Sequence, residues 1–480
     1  MSAPPVRAAR WSLAVACLAS GGLAGCVEVP RLVPDLALRA SQEPTRIEGA
    51  RGPLSPARQK QLVERLKAEP GRPSSILERH LAIEQALTDS PLVADNQVTL
   101  LQDGEATYGA MFAAIAAAKR SILMETYILE YDEVGQRFAE ALIAKRRQGL
   151  QVNLMYDSVG SIGTPDEFFE RLRAEGIAVV EYNPVNPLDA KSGWDVNGRN
   201  HRKLMVVDGA VAFLGGINIS GVYSGGSSGA GSGSKPRRRT PEERAQEATE
   251  RPWRDTHVRI EGPVAAEFLQ GFARAWASQK GPVLNAADLT LPPPAVRGRH
   301  VVRAIDSAPD DPYSAIYTTL MSSIDHAEKE VWITNAYFVP DPQLLDALCR
   351  AARRGVDVRM ILPRHSDAPI VVSAGRSHYG TLLEAGVKLY ERRSVLLHSK
   401  TAVVDGVWST VGSTNLDWRS FVHNRELNAV ILGDEFGGEM RRVFERDQAM
   451  SDPVTLEAWK ARPIKQRLTE WLGRVLQYWL

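Results

Sequence analysis

One four-residue pattern occurs twice in this chain, in register. His201, Lys203, Asp208 and Asn218 form the first copy; His398, Lys400, Asp405 and Asn415 form the second. In each copy Lys follows His by two positions, Asp by seven and Asn by seventeen, and the copies are offset by 398 − 201 = 197 residues. A single His-x-Lys carries little information. Four positions repeated at constant spacing require two similar halves, each lending an imidazole, an ammonium and an amide. That is how one phosphate-handling site is built across a pseudo-twofold axis. At 480 residues the chain is too long for one compact core and long enough for two ordinary domains plus extensions.

The segments around the motif repeat as well. In the first half an Ala-rich helix over 110–119 leads into an apolar strand, Ser121 to Ile128, then a helix over 137–148 closed by Gly149 and a strand, Val152 to Asp157. In the second, a helix over 315–327 precedes a strand from Glu330 to Phe338, then a helix over 343–354 closed by Gly355 and a strand from Val358 to Leu362. Helices alternating with short apolar strands predict an α/β fold with a largely buried sheet. Asp208-Gly209 and Asp405-Gly406 are hairpin turn signals. The returning strands deliver Gly215-Gly216-Ile217-Asn218 and Gly412-Ser413-Thr414-Asn415, small residues that permit close approach to a ligand.

Phosphodiester cleavage without a metal needs a nucleophile for phosphorus, an acid for the leaving alkoxide, and donors for the equatorial oxygens. Neutral imidazole can serve either proton role near neutral pH. The candidate catalytic set is His201, Lys203, Asp208, His398, Lys400 and Asp405, with Asn218, Ser413 and Asn415 as candidate phosphate holders. Within that set Asp208 and Asp405 precede glycine and read first as turn residues. Asp255 in Trp253-Arg254-Asp255-Thr256-His257 and Glu426 in Asn424-Arg425-Glu426 are candidates to orient the histidines. A lone histidine on a strand is usually a hydrogen-bonded core residue. His80, His257, His300, His326, His365, His378 and His423 have no repeated context and take that reading.

The remaining segments divide the chain. Arg7 and Arg10, the apolar run Trp11 to Ala19 and Leu23-Ala24-Gly25-Cys26 read as an export leader over residues 1–26. That box resembles the bacterial lipoprotein cleavage site, which implies lipidation of Cys26 and a membrane-anchored protein of the bacterial cell envelope facing the periplasm. Residues 27–92 form an N-terminal extension with one helical stretch over 59–69 bracketed by prolines; it is expected to support the catalytic body. The first half spans 93–283, including a Gly/Ser/Arg loop at 224–250 with almost nothing to bury. Residues 284–298, with Pro292-Pro293-Pro294, are a stiff linker; 299–455 are the second half; 456–480 form an apolar, basic amphipathic tail that either lies on a membrane or docks on the second half. Net charge is +1, so no nucleic-acid partner is expected. The only cysteines are Cys17, Cys26 and Cys349, and none has zinc spacing, so no metal and no cofactor are predicted.

Asn200-His201-Arg202-Lys203-Leu204, Met124-Glu125-Thr126-Tyr127-Ile128, Trp253 to His257, Val404 to Ser413 and Asn415-Leu416-Asp417-Trp418-Arg419-Ser420 with Asn424 and Glu426 together resemble the phospholipase D superfamily, in its bacterial cardiolipin synthase branch. The resemblance covers roughly residues 97 to 450. It implies two similar phospholipase D-like α/β/α sandwich halves with the site at their interface. It also implies transfer between phospholipids through a covalent phosphohistidine: two phosphatidylglycerols give cardiolipin and glycerol, with His201 as nucleophile by analogy and His398 as acid and base. Phosphatidylethanolamine is an alternative lipid substrate, a membrane surface is implied, and no obligate protein partner is. The residues themselves leave hydrolysis to phosphatidic acid open, with a nuclease or a non-catalytic lipid-binding protein as weaker alternatives.

Overall fold

The computed structural model describes residues 46–66, 75–87, 90–186, 195, 197–225, 252–284, 295–311 and 314–477. The leader with Cys26, nearly all of the 224–250 loop and most of the Pro-rich linker lie outside these residues.

Among the described residues the main sheet of the first half has seven strands: β1 (Leu92–Gln102), β2 (Ser121–Thr126), β3 (Gln151–Asp157), β4 (Ala178–Tyr182), β5 (Leu204–Val207), β6 (Val211–Gly215) and β7 (Thr256–Glu261). They lie in the order β4-β3-β2-β5-β6-β7-β1, with β2, β3 and β4 parallel and the remaining neighbours antiparallel. The second half repeats them as β8 (His300–Ser307), β9 (Glu330–Asn335), β10 (Asp357–Pro363), β11 (Lys388–Arg392), β12 (Lys400–Val404), β13 (Trp408–Gly412) and β14 (Asn424–Leu432). Their order is β11-β10-β9-β12-β13-β14-β8, the same topology strand for strand. The duplication seen in the motif is therefore a duplication of the fold.

The inner parallel strands β2, β3, β9 and β10 are buried over most of their length because helices cover them, which suits their apolar runs, whereas the outer β4 and β11 are only partly buried. The helix Glu133–Arg147 starts where Asp132 accepts from Gly135 N at 2.9 Å and ends at Gly149, whose φ is 90°. Its counterpart Pro342–Arg353 starts on Asp341, which accepts from Gln343 N at 2.8 Å, and ends at Gly355 with φ 93°. The Ala-rich helix begins earlier than its composition suggested, at Asp103, and both strands that follow the first helices stop before Tyr127 and Tyr337. One apolar core spans the two sheets and joins the halves, with Phe268 and Trp276 from the helix Ala265–Ser278 and Phe436 and Phe444 from Asp434–Ala449.

Strand β1 belongs to both halves. Val93 and Asn96 pair with Val302 and His300 of β8; residues from Gln97 onward pair with β7. Asp95 has a positive φ at the bend, and the Asn96 amide ties the turn by donating to Val93 O at 2.7 Å. The extension packs on the second half: Leu62, Ile76, Leu77 and Leu81 join a core with Ile316, Tyr317 and Val331. Its Glu84 accepts from Trp408 Nε1 at 2.7 Å and pairs with Arg303.

Candidate active site

The chain before each motif histidine crosses to the opposite half. Trp253 and Arg254 pair in parallel with Leu396 and Leu397, and His398 N donates to Arg254 O at 2.8 Å. In mirror fashion Arg199 and Asn200 pair with Asn424 and Arg425, and His201 N donates to Arg425 O at 3.0 Å. The next residue on each partner segment is a carboxylate, Asp255 or Glu426. The side chains complete the exchange. His201 Nδ1 lies 2.9 Å from Glu426 Oε1, and His398 Nδ1 lies 2.7 Å from Asp255 Oδ2. An anionic carboxylate on Nδ1 selects the tautomer that leaves an Nε2 lone pair for attack, and a protonated one leaves the hydrogen on Nε2 for donation.

The two lysines fold back on the same strand ends. Lys203 Nζ donates to His201 O and Lys400 Nζ to His398 O. Lys203 stands 5.2 Å above the Tyr127 ring and Lys400 5.8 Å above that of Tyr337. The same rings meet the histidines edge-on, at 5.1 Å for Tyr127–His201 and 6.2 Å for Tyr337–His398. Trp253 packs 5.0 Å from His398, and Tyr223 Oη lies 3.4 Å from its Nδ1. Sequence reasoning left these aromatics out. A usable signal existed for two of them: a tyrosine follows the polar end of the same strand in both halves, in Thr126-Tyr127 and Ala336-Tyr337.

His201, Lys203, Asp255, His398, Lys400 and Glu426 are all buried, and burial sets their proton affinities. It lowers His201 to about 4 against the pull of Glu426, and pushes His398 well below the usual range with help from Lys400 and Lys203. It lowers Lys203 to about 7 and Lys400 to about 8, each opposed by the carboxylates. The carboxylates themselves diverge. Burial raises Asp255 to about 7, only partly opposed by Lys400 and Thr256 N–H. For Glu426 burial is overcome by His201, Lys203 and the Ser413 hydroxyl, and the group stays below its ordinary value. The two carboxylates are thus shifted in opposite directions, Glu426 down and Asp255 up.

The causes differ mainly in the histidine, since His201 lowers Glu426 most, and one further difference lies at a single position. Ser413 donates its hydroxyl to Glu426. The matching residue in the first half is Gly216, which has no hydroxyl, and a Cβ there would sit 2.2 Å from Asp255 Oδ1.

Several expected assignments change. Asp208 and Asp405 are removed from the catalytic set. Asp208 accepts from the backbone N–H groups of Lys119, Arg120 and Ser121, and Asp405 from those of Glu328, Lys329 and Glu330 and from His80 Nε2 at 3.2 Å. Both sit at positive φ, 52° and 53°, in the hairpin turns. They anchor the hairpins to the strand starts, at the far end from the histidines. Ser413, expected to hold phosphate, donates its hydroxyl to Glu426. Asn218 is committed to the wall: Oδ1 accepts from Ile128 N at 3.1 Å and Nδ2 donates to Tyr223 Oη at 3.0 Å. Asn415 keeps a buried Oδ1 without a hydrogen-bond partner. His201 and Lys203 precede β5 in irregular chain, whereas Lys400 opens β12. Among the described residues no group of three or more His, Cys, Asp or Glu is placed to hold a metal ion.

The family described as "Cardiolipin synthase, PLD-like domain" matches residues 111–223 and 320–448, one stretch in each half. The chain belongs to this family. Two relatives show how far the likeness extends. A protein named cardiolipin synthase from Geobacillus kaustophilus (strain HTA426) is 35% identical over 397 residues, 82% of this chain and 75% of the relative. One named cardiolipin synthase A from Pseudomonas aeruginosa (strain UCBPP-PA14) is 35% identical over 373 residues, covering 77% and 71%. The crystal structure of phosphatidylserine synthase from Haemophilus influenzae Rd KW20 superposes with a TM-score of 0.61 at 14% identity, over 83% of this chain and 99% of that one. That likeness shows the shared duplicated fold. As a member of the cardiolipin synthase family, the chain is a phosphatidyltransferase of the phospholipase D type.

Proposed function

We propose that the protein makes cardiolipin from two phosphatidylglycerols through a phosphohistidine. The crossed pairs His201–Glu426 and Asp255–His398 carry this reading, because they bring one oriented imidazole from each half and their carboxylates are shifted in opposite directions, as a nucleophile and an acid require. His201 Nε2, kept unprotonated by burial and oriented by Glu426, attacks phosphorus. The bond from phosphorus to the glycerol oxygen breaks, and His398, sharing a proton with Asp255, protonates that oxygen. Lys203 and Lys400 hold the equatorial oxygens, with the Asn415 amide as a further donor. A second phosphatidylglycerol then enters; His398 takes the proton from its primary hydroxyl, whose oxygen attacks phosphorus and releases His201. Cardiolipin and glycerol leave, and each proton has returned to its starting group.

The Leu23-Ala24-Gly25-Cys26 box supports a lipid anchor on Cys26 and a location in the cell envelope facing the periplasm. The test is a product assay with labelled phosphatidylglycerol, alone and with phosphatidylethanolamine. Cardiolipin plus glycerol is expected; phosphatidic acid as the sole product would make the protein a hydrolase. With phosphatidylglycerol carrying ³²P, acid-labile, base-stable label is expected on the wild-type chain and absent from His201→Ala. Label of equal yield on both would reject His201 as nucleophile.

A further inference from the structure

Among the described residues most of the exposed large apolar side chains follow strand ends on one edge or lie on the C-terminal helix, although Val283, Val296 and Met450 are exposed as well. The parallel strands end, at their C-termini, on the edge that holds the site: Asn335 at the end of β9 pairs with Lys400, and Tyr127 just past β2 packs on His201. Exposed Tyr131, Ile162 and Val185 follow the ends of β2, β3 and β4, and exposed Ile370 follows the end of β10. Ile162 is 63% exposed although it stands in an ordered turn.

The C-terminal helix Ile464–Leu476 adds the largest patch to this edge. A chain of contacts links it to the site. Tyr337 meets His398, its neighbour Phe338 lies under Gly375, where a Cβ would be 2.2 Å from Phe338 O, and Gly473 lies on Ala374, where a Cβ would be 2.5 Å from Ala374 N. The helix therefore packs on Pro369–Arg376 at the rim.

It docks the wrong way round for a soluble protein. The residues facing the body are Gly473, Glu470 paired with Arg462 at 2.9 Å, and Gln477, 2.9 Å from His378 Nε2. Ile464, Leu468, Trp471, Leu472, Val475 and Leu476 form the opposite stripe and are exposed, Trp471 at 58%. Leaving that many large apolar side chains in water forgoes the stabilisation their burial would give. Exposed Lys465 borders the stripe on one side, and exposed Arg467 and Arg474 border it on the other. That is the layout of a helix lying in an anionic lipid interface, with apolar groups among the acyl chains and cations at headgroup level.

We propose that this edge docks on a bilayer of anionic phospholipid, with the C-terminal helix as its main anchor and the Tyr131, Ile162 and Ile370 loops completing the ring around the site mouth. The proposal rests on the lipid-transfer reading and adds the surface by which substrate arrives: phosphatidylglycerol moves from the bilayer into the site without crossing water.

The test uses the full-length chain and the double variant Leu468→Glu/Trp471→Glu, both positions being exposed so that the fold is not at stake. On phosphatidylglycerol vesicles transfer is expected to fall at least about tenfold, the cost of burying two carboxylates in the interface. On short-chain phosphatidylglycerol dispersed as monomers the rate should stay within about twofold. Equal vesicle rates, or equal losses on both substrates, would overturn the proposal. Binding is read separately from turnover: phosphatidylglycerol vesicles should blue-shift the tryptophan emission of the wild type, and Trp471→Phe should shrink that shift. A shift left intact in Trp471→Phe counts against docking. A wild type that shows the shift but turns over neither lipid sinks the transfer reaction and leaves docking standing. A double variant that changes from dimer to monomer with vesicle transfer unchanged would identify the stripe as a contact between copies, and the proposal fails.

Discussion

Asp255 of the first half holds His398 of the second, Oδ2 to Nδ1 at 2.7 Å, and Glu426 of the second half returns the exchange to His201 at 2.9 Å. Neither half alone contains an oriented histidine. Replacing either carboxylate by its amide keeps the shape but removes the tautomer bias. Asp255→Asn and Glu426→Gln are each expected to lower kcat by about 10²–10⁴-fold with little change in unfolding temperature. The double variant should lose much less than the product of the two, because both acts serve one phosphorus.

The pH profile should be a bell with unequal causes on its two sides. His201, lowered to about 4 by burial, gains a proton on the acid side and stops attacking. Asp255, raised to about 7 by burial, gives up on the alkaline side the proton it shares with His398. Lys203 and Lys400, lowered to about 7 and about 8, lose charge in the same direction, so activity falls as pH rises through that range. Asp255→Asn should change the alkaline limb and leave the acid limb in place. Single-turnover rates from pH 4 to 9 would show it: the lysines keep a limb of their own, so the expected change is a shallower one, and a limb of unchanged steepness in Asp255→Asn would contradict the proton assignment.

Gly216→Ala tests the packing behind that pair. The added Cβ would lie 2.2 Å from Asp255 Oδ1, so the carboxylate must move off His398. A displacement of about 1 Å at a catalytic group costs on the order of 10²-fold in rate. The expected result is that loss in kcat with KM nearly unchanged. Wild-type kcat would show that Asp255 does not need its present position.

Asp405 separates structure from chemistry. Its carboxylate gathers three backbone N–H groups and His80, and these hold its pKa below the ordinary value although burial alone would raise it. The stability it lends is present above its unfolded pKa and is lost as pH falls through the lower folded value. Asp405→Ala strands several donors and should cost about 3 kcal/mol in unfolding free energy. Turnover by the folded fraction, measured well below the unfolding midpoint, should stay within about threefold. A loss of the size seen for the histidine variants would return Asp405 to the catalytic set.

By itself the sequence determined the duplication. The offset of 197 residues, repeated at His, Lys, Asp and Asn, has its structural counterpart in two sheets of identical strand order. The parallel strands β2, β3, β9 and β10 were legible because they are short, apolar and separated by helices ending in glycine; β4, β11, β7, β8 and β14 were not, because they carry charged residues among their apolar ones. The chemistry of the site was legible as residue types. Its wiring was not. That Glu426 serves His201 and Asp255 serves His398 depends on chain segments crossing between halves, separated by 225 and 143 residues. Local spacing does not encode such a crossing; the backbone pairing at Arg254–Leu397 and Asn200–Arg425 decides it. The direction of the C-terminal helix is also tertiary. Periodicity revealed an apolar stripe, but only the close approach of Gly473 to Ala374 turned that stripe away from the body.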